Sequence, residues 1–148
     1  MSQEAVVVAS ESIPIPSIRH HHHEASGTYA TVGGGKNDTA SGSSATISGG
    51  SENIAVGYSS TIGGGYNNTV IGIHATISGG KDNEVTGKYS TISGGELNKA
   101  DSGWATVSGG AENTANTFYA TVSGGRENIA GHGNVPCGLN VYGAGIAS

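Results

Sequence analysis

Four consecutive imidazoles follow an arginine at residues 19–23, and His20, His21, His22 and His23 are the residues best equipped for metal chemistry. Neutral imidazole nitrogens are good ligands for transition metals. The run therefore reads as a candidate transition-metal site, or else as a polar linker. A second candidate is a column of residues fifteen apart: Tyr29, Ser44, Ser59, His74, Tyr89, Trp104 and Tyr119. Its aromatic members could stack on a sugar ring, or on each other and between chains. His74 and His132 stand alone. The Gly-Gly pairs precede no helix, so they do not make a phosphate cradle. No Ser-His-Asp order or paired carboxylate stands out, so the chain is not read as an enzyme.

These residues are placed by a repeat. Thr-(Ile/Val)-(Ser/Gly)-Gly-Gly begins at Thr31, Thr46, Thr61, Thr76, Thr91, Thr106 and Thr121, a period of 15 without a slip. A fixed period means that each repeat is one turn of a stacked structure. A repeat this short cannot bury an apolar face alone, so its neighbours must supply the core.

Each turn holds two short extended segments and two corners. Alternation along a strand sends Val32, Ile47, Ile62, Ile77, Ile92, Val107 and Val122 inward. The small residues Ala30, Ala45, Ser60, Ala75, Ser90, Ala105 and Ala120 go with them. The second segment contributes Ala40, Ala55, Val70, Val85, Ala100, Ala115 and Ala130. Paired glycines, Gly34-Gly35 through Gly124-Gly125, permit positive φ at one corner. Asn53, Asn68, Asn83, Asn98, Asn113 and Asn128, with Asp38 in the first copy, follow that corner. Asparagine tolerates left-handed backbone, and stacked amides can bond as a ladder. The other corner carries Gly42, Gly57, Gly72 and Gly87, then Ser102 and Thr117. Glycine and β-branched residues oppose helix throughout.

The expected fold is all-β: a parallel β-roll or β-solenoid of 15-residue coils spanning residues 24–135. Residues 1–23 form an extended N-terminal arm with the histidine run, and residues 136–148 a C-terminal cap or tail. Pro136 falls where the next threonine would sit and removes a ladder donor, which predicts the end of the stack. The arm's Ile13-Pro14-Ile15-Pro16 must be extended. Ile13 and Ile15 are candidates for pairing with another subunit. Each coil buries about one branched aliphatic and two small residues, a modest gain against the entropy of ordering fifteen residues. Side-by-side association would bury a second face.

Composition narrows the function. The chain has 148 residues, of which 27 are glycine, yet no Gly-X-Y triplet runs through it, which excludes collagen. Net charge is −5, and the six Lys and Arg are scattered singly. Nothing suits nucleic acid or an anionic membrane. No apolar run approaches the ~20 residues of a membrane span. Met1–Ser10 lacks the charge and length of a secretion signal. Cys137 is the single cysteine, so no intrachain disulfide framework exists; it is a candidate for contact between chains, or else a small residue near the last coil.

The string Asn-x-Ala-x-Gly-x-x-(Ser/Ala)-Thr-(Ile/Val)-(Ser/Gly)-Gly, clearest at Asn53–Gly64 and Asn113–Gly124, resembles the YadA-like head repeat of trimeric autotransporter adhesins. The similarity covers about Glu24 to Ala130. It implies a left-handed parallel β-roll, three chains around an axis, and a surface that adheres to host matrix or other cells. Related repeats are similar to those of phage tail fibres. The repeat here is one residue longer than in that family, through the extra glycine. No stalk or anchor pattern accompanies it, so the resemblance implies the roll and the trimer more than the autotransporter.

The resulting expectation is a homotrimeric structural or adhesive subunit of an extracellular fibre, on a cell, spore or virion surface. Its terminal segments are candidates for end-to-end joining into a filament. Thr76, Thr91, Tyr89, Trp104 and Tyr119 are the candidate contact residues. A rival reading is a monomeric ligand-binding solenoid. The outward rows Thr76-x-Ser78 and Thr91-x-Ser93 resemble the threonine arrays of ice-binding solenoids. Another rival is a phage receptor-binding tip.

Overall fold

A computed structural model describes residues 22–131, together with the strands Val6–Val7 and Asn140–Val141. Every described strand is two residues long and every pairing is parallel. One sheet has nine strands, from Val6–Val7 through the seven Thr-(Ile/Val) pairs, Thr31–Val32 to Thr121–Val122, to Asn140–Val141. The other has eight, from Glu24–Ala25 to Ile129–Ala130. The chain alternates between the sheets, so each coil adds one rung to both. The molecule is the all-β solenoid that the period predicts.

Inside, the three expected columns are all buried, including Ile47, Ile62, Ile77 and Ile92 at 0% exposure. The asparagine column is buried with them. Strands are shorter than the pattern suggests because a corner interrupts the chain after every few residues. A third ladder also appears, which the apolar pattern does not signal. Single parallel bridges join Lys36, Ser51, Tyr66, Lys81, Glu96, Ala111 and Arg126, just after the paired glycines.

Left-handed backbone falls where side-chain type does not announce it. Two non-glycine positions per coil have φ of 50–60°: one represented by Glu52, Asp82 and Leu97, the other by Tyr89, Trp104 and Tyr119. The asparagines expected to take this conformation do not; the residue just before each does. The backbone hydrogen bonds give the reason. Most N–H groups donate forward to the next coil, as Thr91 N does to Ala105 O at 2.9 Å. The left-handed residues donate backward: Leu97 N to Lys81 O at 3.0 Å and Trp104 N to Lys88 O at 2.9 Å. A left-handed residue turns its N–H to the previous coil, and that bond offsets the ~1–2 kcal/mol of the conformation.

The glycine corners differ in cause. Gly80 needs its positive φ of 94°, and an added Cβ would also strike the Gly95 carbonyl. Gly57 has no positive φ, but a Cβ there would strike the carbonyl of Gly72 on the next coil. Close approach between coils, not turn conformation, keeps that column small until Ser102.

Both ends depart from the period. A strict repeat would place the rung before Thr31 at Pro16, yet Val6 pairs with Thr31 and Val7 with Val32. Part of the arm read as a partner-pairing segment thus continues the chain's own sheet. Ile13 and Ile15 lie outside the described residues. At the other end the next rung would begin at Pro136, also outside them. The sheet gains a rung there all the same, with Asn140 opposite Thr121 and Val141 opposite Val122.

Candidate contact surfaces

The described residues offer one aromatic corner, one threonine face and one charged corner. On the aromatic corner the left-handed position directs each ring outward from the turn, and the coil spacing sets the rings above one another. His74 and Tyr89 stack with centroids 5.3 Å apart, Tyr89 and Trp104 at 5.2 Å, and Trp104 and Tyr119 at 5.2 Å. Interplanar angles are 13–18°. Tyr58 meets His74 edge-on at 5.4 Å, and Phe118 lies against Trp104 at 6.2 Å. The faces of the stacked rings are turned to each other, which leaves mostly edges and rims to solvent. Tyr89, Trp104 and Tyr119 nevertheless remain 44–57% exposed.

Two residues along the chain from each of these rings lies a threonine. Thr76 and Thr91 are direct partners in the first sheet, and all seven threonines share that register. Each is half-buried. With Ser78, Ser93, Ser108 and their equivalents they make an uncharged face of small side chains. The structure therefore brings Thr76, Thr91, Tyr89, Trp104 and Tyr119 to one edge of the roll. Periodicity alone assigns those columns; the ring stacking that links them follows from the left-handed corner.

Charge collects at the third ladder. Lys81 Nζ lies 2.7 Å from Glu96 Oε1 and 3.4 Å from Asp82, and Arg126 lies 2.7 Å from Glu112. The Glu96 carboxylate, which accepts a hydrogen bond from Lys81, raises the pKa of that amine above 10.5. Glu112 does the same for Arg126, and Glu52 holds the Tyr66 phenol above its usual 10.0. Lys81, Glu96, Glu112, Arg126 and Tyr66 are exposed, while Glu52 and Asp82 are partly buried. A shallow groove of about 420 Å³ opens beside them, lined by Asn67, Thr69, Asp82, Glu84 and Lys99 among others. Its polar groups pair internally: Asn67 donates to Asp82 at 2.7 Å, and Lys99 lies 3.3 Å from Glu84.

Of the histidine run, His22 is exposed and His23 partly buried, while His20 and His21 lie outside the described residues. Among the described residues no three His, Cys, Asp or Glu side chains gather as a metal site would require. His23 sits fifteen residues before Asp38, at the ladder position one rung earlier, and its Nδ1 is buried without a partner. Cys137 also falls outside the described residues. Among the described residues no helix is long and apolar enough to cross a membrane. No protein-family model, curated protein or solved structure matches this chain.

Proposed function

We propose that this chain is a structural or adhesive subunit of a surface fibre, working as a parallel homotrimer outside a cell or on a virion or spore. The observation that carries the reading is the thinness of the roll. Each full coil centres on one Ile or Val, one Ala or Val, one Ala or Ser and one amide or carboxyl side chain. Isolated coils of that kind gain little from burial. Copies packed side by side would bury more. The resemblance of the repeat to YadA-like heads supports the same arrangement. Adhesion to host matrix or glycan, and end-to-end joining into filaments, belong to this proposal.

Absolute mass by light scattering after size exclusion tests it. A mass near three times 14.6 kDa supports the trimer. A mass of one chain overturns it. Larger species that a chelator dissolves would add a filament joined through the histidine run.

One observation favours a second reading. Seven threonines in register on an uncharged face suit a monomeric solenoid that binds an ordered surface such as ice. Ice shaping by a monomer supports that reading, and its absence at millimolar concentration removes it.

A further inference from the structure

Eight of the twelve large apolar side chains exposed among the described residues fall in one run, while Tyr29, Tyr66, Leu97 and Ile129 lie outside it. One coil places Ile54, Val56 and Tyr58 on the outside of the second sheet and the corner beyond it, and Ile71 lies one coil on from Val56. The run then passes through Tyr58 and His74 to the ring stack of Tyr89, Trp104 and Tyr119, flanked by Phe118. Ring contacts make its aromatic part, from Tyr58 to Tyr119, continuous over five coils. It starts on the sheet and slants onto the corner. Where it leaves the sheet, Glu84, Lys99 and Asp101 take the outward places. Lys88, exposed and next to Tyr89 in the chain, is a charge beside the rings.

Its size is informative. Eight of these side chains are 39–57% exposed. At roughly 150–250 Å² for an aromatic side chain, half-exposure of the five rings alone gives on the order of 400–600 Å², to which Ile54, Val56 and Ile71 add. The largest apolar patch on an ordinary monomer is about 300–600 Å². A stable protein interface takes about 800 Å² from each partner. Tyr and Trp are also the residues that dominate interface energies. A sugar would need open ring faces, and here the faces cover each other. Chains of net charge −5 repel unless they meet on neutral ground, and the eight side chains of the band lie away from the ion pairs of the charged third ladder.

We infer that this slanted aromatic band is the seam against which a second copy of the chain packs, and that the threonine face stays open to solvent. The inference rests on the proposal that the chain is an oligomer. It assigns the face, which that proposal leaves free.

The chain itself supplies benign substitutions. Ser44 and Ser59 occupy the ring column, and Thr86 occupies the Val56 and Ile71 column. A variant carrying Val56→Thr, Ile71→Thr, Tyr89→Ser and Tyr119→Ser therefore keeps residue types that this roll already accepts, and it retains Trp104, the single tryptophan. A control carries Thr76→Lys and Thr91→Lys; Lys99 holds an equivalent outward place in the second sheet. Light scattering gives the mass of each, and circular dichroism checks that each is folded. The expected result is an oligomeric wild type and control, with the band variant dissociating at concentrations at least 10-fold higher. Trp104 emission in the band variant should shift to the red and become open to a soluble quencher. A band variant that keeps the wild-type mass and emission overturns the seam while leaving the oligomer intact, and dissociation of the control alone moves the seam to the threonine face. A monomeric wild type removes the oligomer proposal itself, and the seam with it.

Discussion

Asn53 donates both its backbone N–H and its side-chain amide to one oxygen, Asp38 Oδ1, at 2.8 and 2.9 Å. The same pair of bonds recurs from Asn68 to Asn53, at 3.1 and 3.0 Å, and from Asn83 to Asn68, at 3.1 Å each. Each amide from Asn53 to Asn113 also donates to two glycine carbonyls, as Asn53 does to Gly49 and Gly65 at 3.3 and 3.1 Å. From Asn53 to Asn113 each rung thus bonds its buried neighbours on both sides. Asp38 alone has an oxygen where the others have an NH₂ group, and that oxygen, Oδ2, is buried without a partner.

Replacing Asp38 by Asn should therefore stabilise the protein. The substitution changes almost no volume and supplies the missing donor. An unsatisfied buried polar atom costs about 1–3 kcal/mol. A rise in denaturation midpoint of that order is expected in urea melts, and a fall would count against the ladder as the organising element of the corner.

Asn83→Ala should do the reverse. It deletes the donors to Asn68, Gly79 and Gly95, and the acceptor for Asn98 N at 3.0 Å. Several buried groups lose partners together, so a loss of roughly 3 kcal/mol or more is expected. A cost below about 1 kcal/mol in equilibrium unfolding would mean that the amides contribute little net stability.

Two adjacent glycines should respond oppositely. Gly79 has no positive φ, and a Cβ there meets nothing within 4 Å. Gly79→Ala should change stability by less than about 0.5 kcal/mol. Gly80→Ala combines a φ of 94° with a collision against the next coil and should cost about 3 kcal/mol or more. Comparable melting temperatures for the two variants would contradict the corner geometry.

The charged corner makes a prediction about pH. The folded pKa of Lys81 is raised above its unfolded 10.5 by Glu96, so the pair's contribution is fully present below that pH and is lost as pH rises through the folded value. Tyr66 and Arg126 are raised too, and they follow the same sign. Both members of the Lys81–Glu96 pair are about half exposed, which screens the effect. Glu96→Gln should lower the Lys81 titration midpoint seen by NMR, with no resolvable change in melting temperature at pH 7. An unmoved midpoint would show that the ion pair does not persist in solution.

Much of this was legible in the sequence. The burial of Ile77, Ala75 and Val85 follows from alternation alone, and the need for a second glycine at Gly80 follows from the reversal of the chain. The recurrence of Asn83 and its equivalents every fifteen residues announces an amide ladder, but not that each leaves left-handed backbone to its predecessor. Asp82 takes that conformation, as do Leu97 and Trp104 elsewhere, because the direction of a backbone N–H is fixed by the coil below it. Asn37, Asn67 and Asp82 suit that demand, but Glu52, Leu97 and Glu112 in the same column do not announce it. The third ladder was hidden for a related reason: Lys81, Glu96 and Ala111 share a backbone bridge and no side-chain property. The outer rungs at Val6 and Asn140 break the period, and periodicity was the signal.

The regular spacing also bears on how the chain finds its shape. Within the repeats each strand pairs with the segment fifteen residues away, about one-tenth of the chain length, a separation closer to that of helical bundles than of β-sandwiches. A nascent chain can wind its first turn without waiting for distant sequence. Each finished turn then presents a template of carbonyls, N–H groups and amides to the next. Such winding proceeds like a zipper, and the duplication or loss of a complete fifteen-residue unit would change the rod's length while leaving its route to the folded state intact.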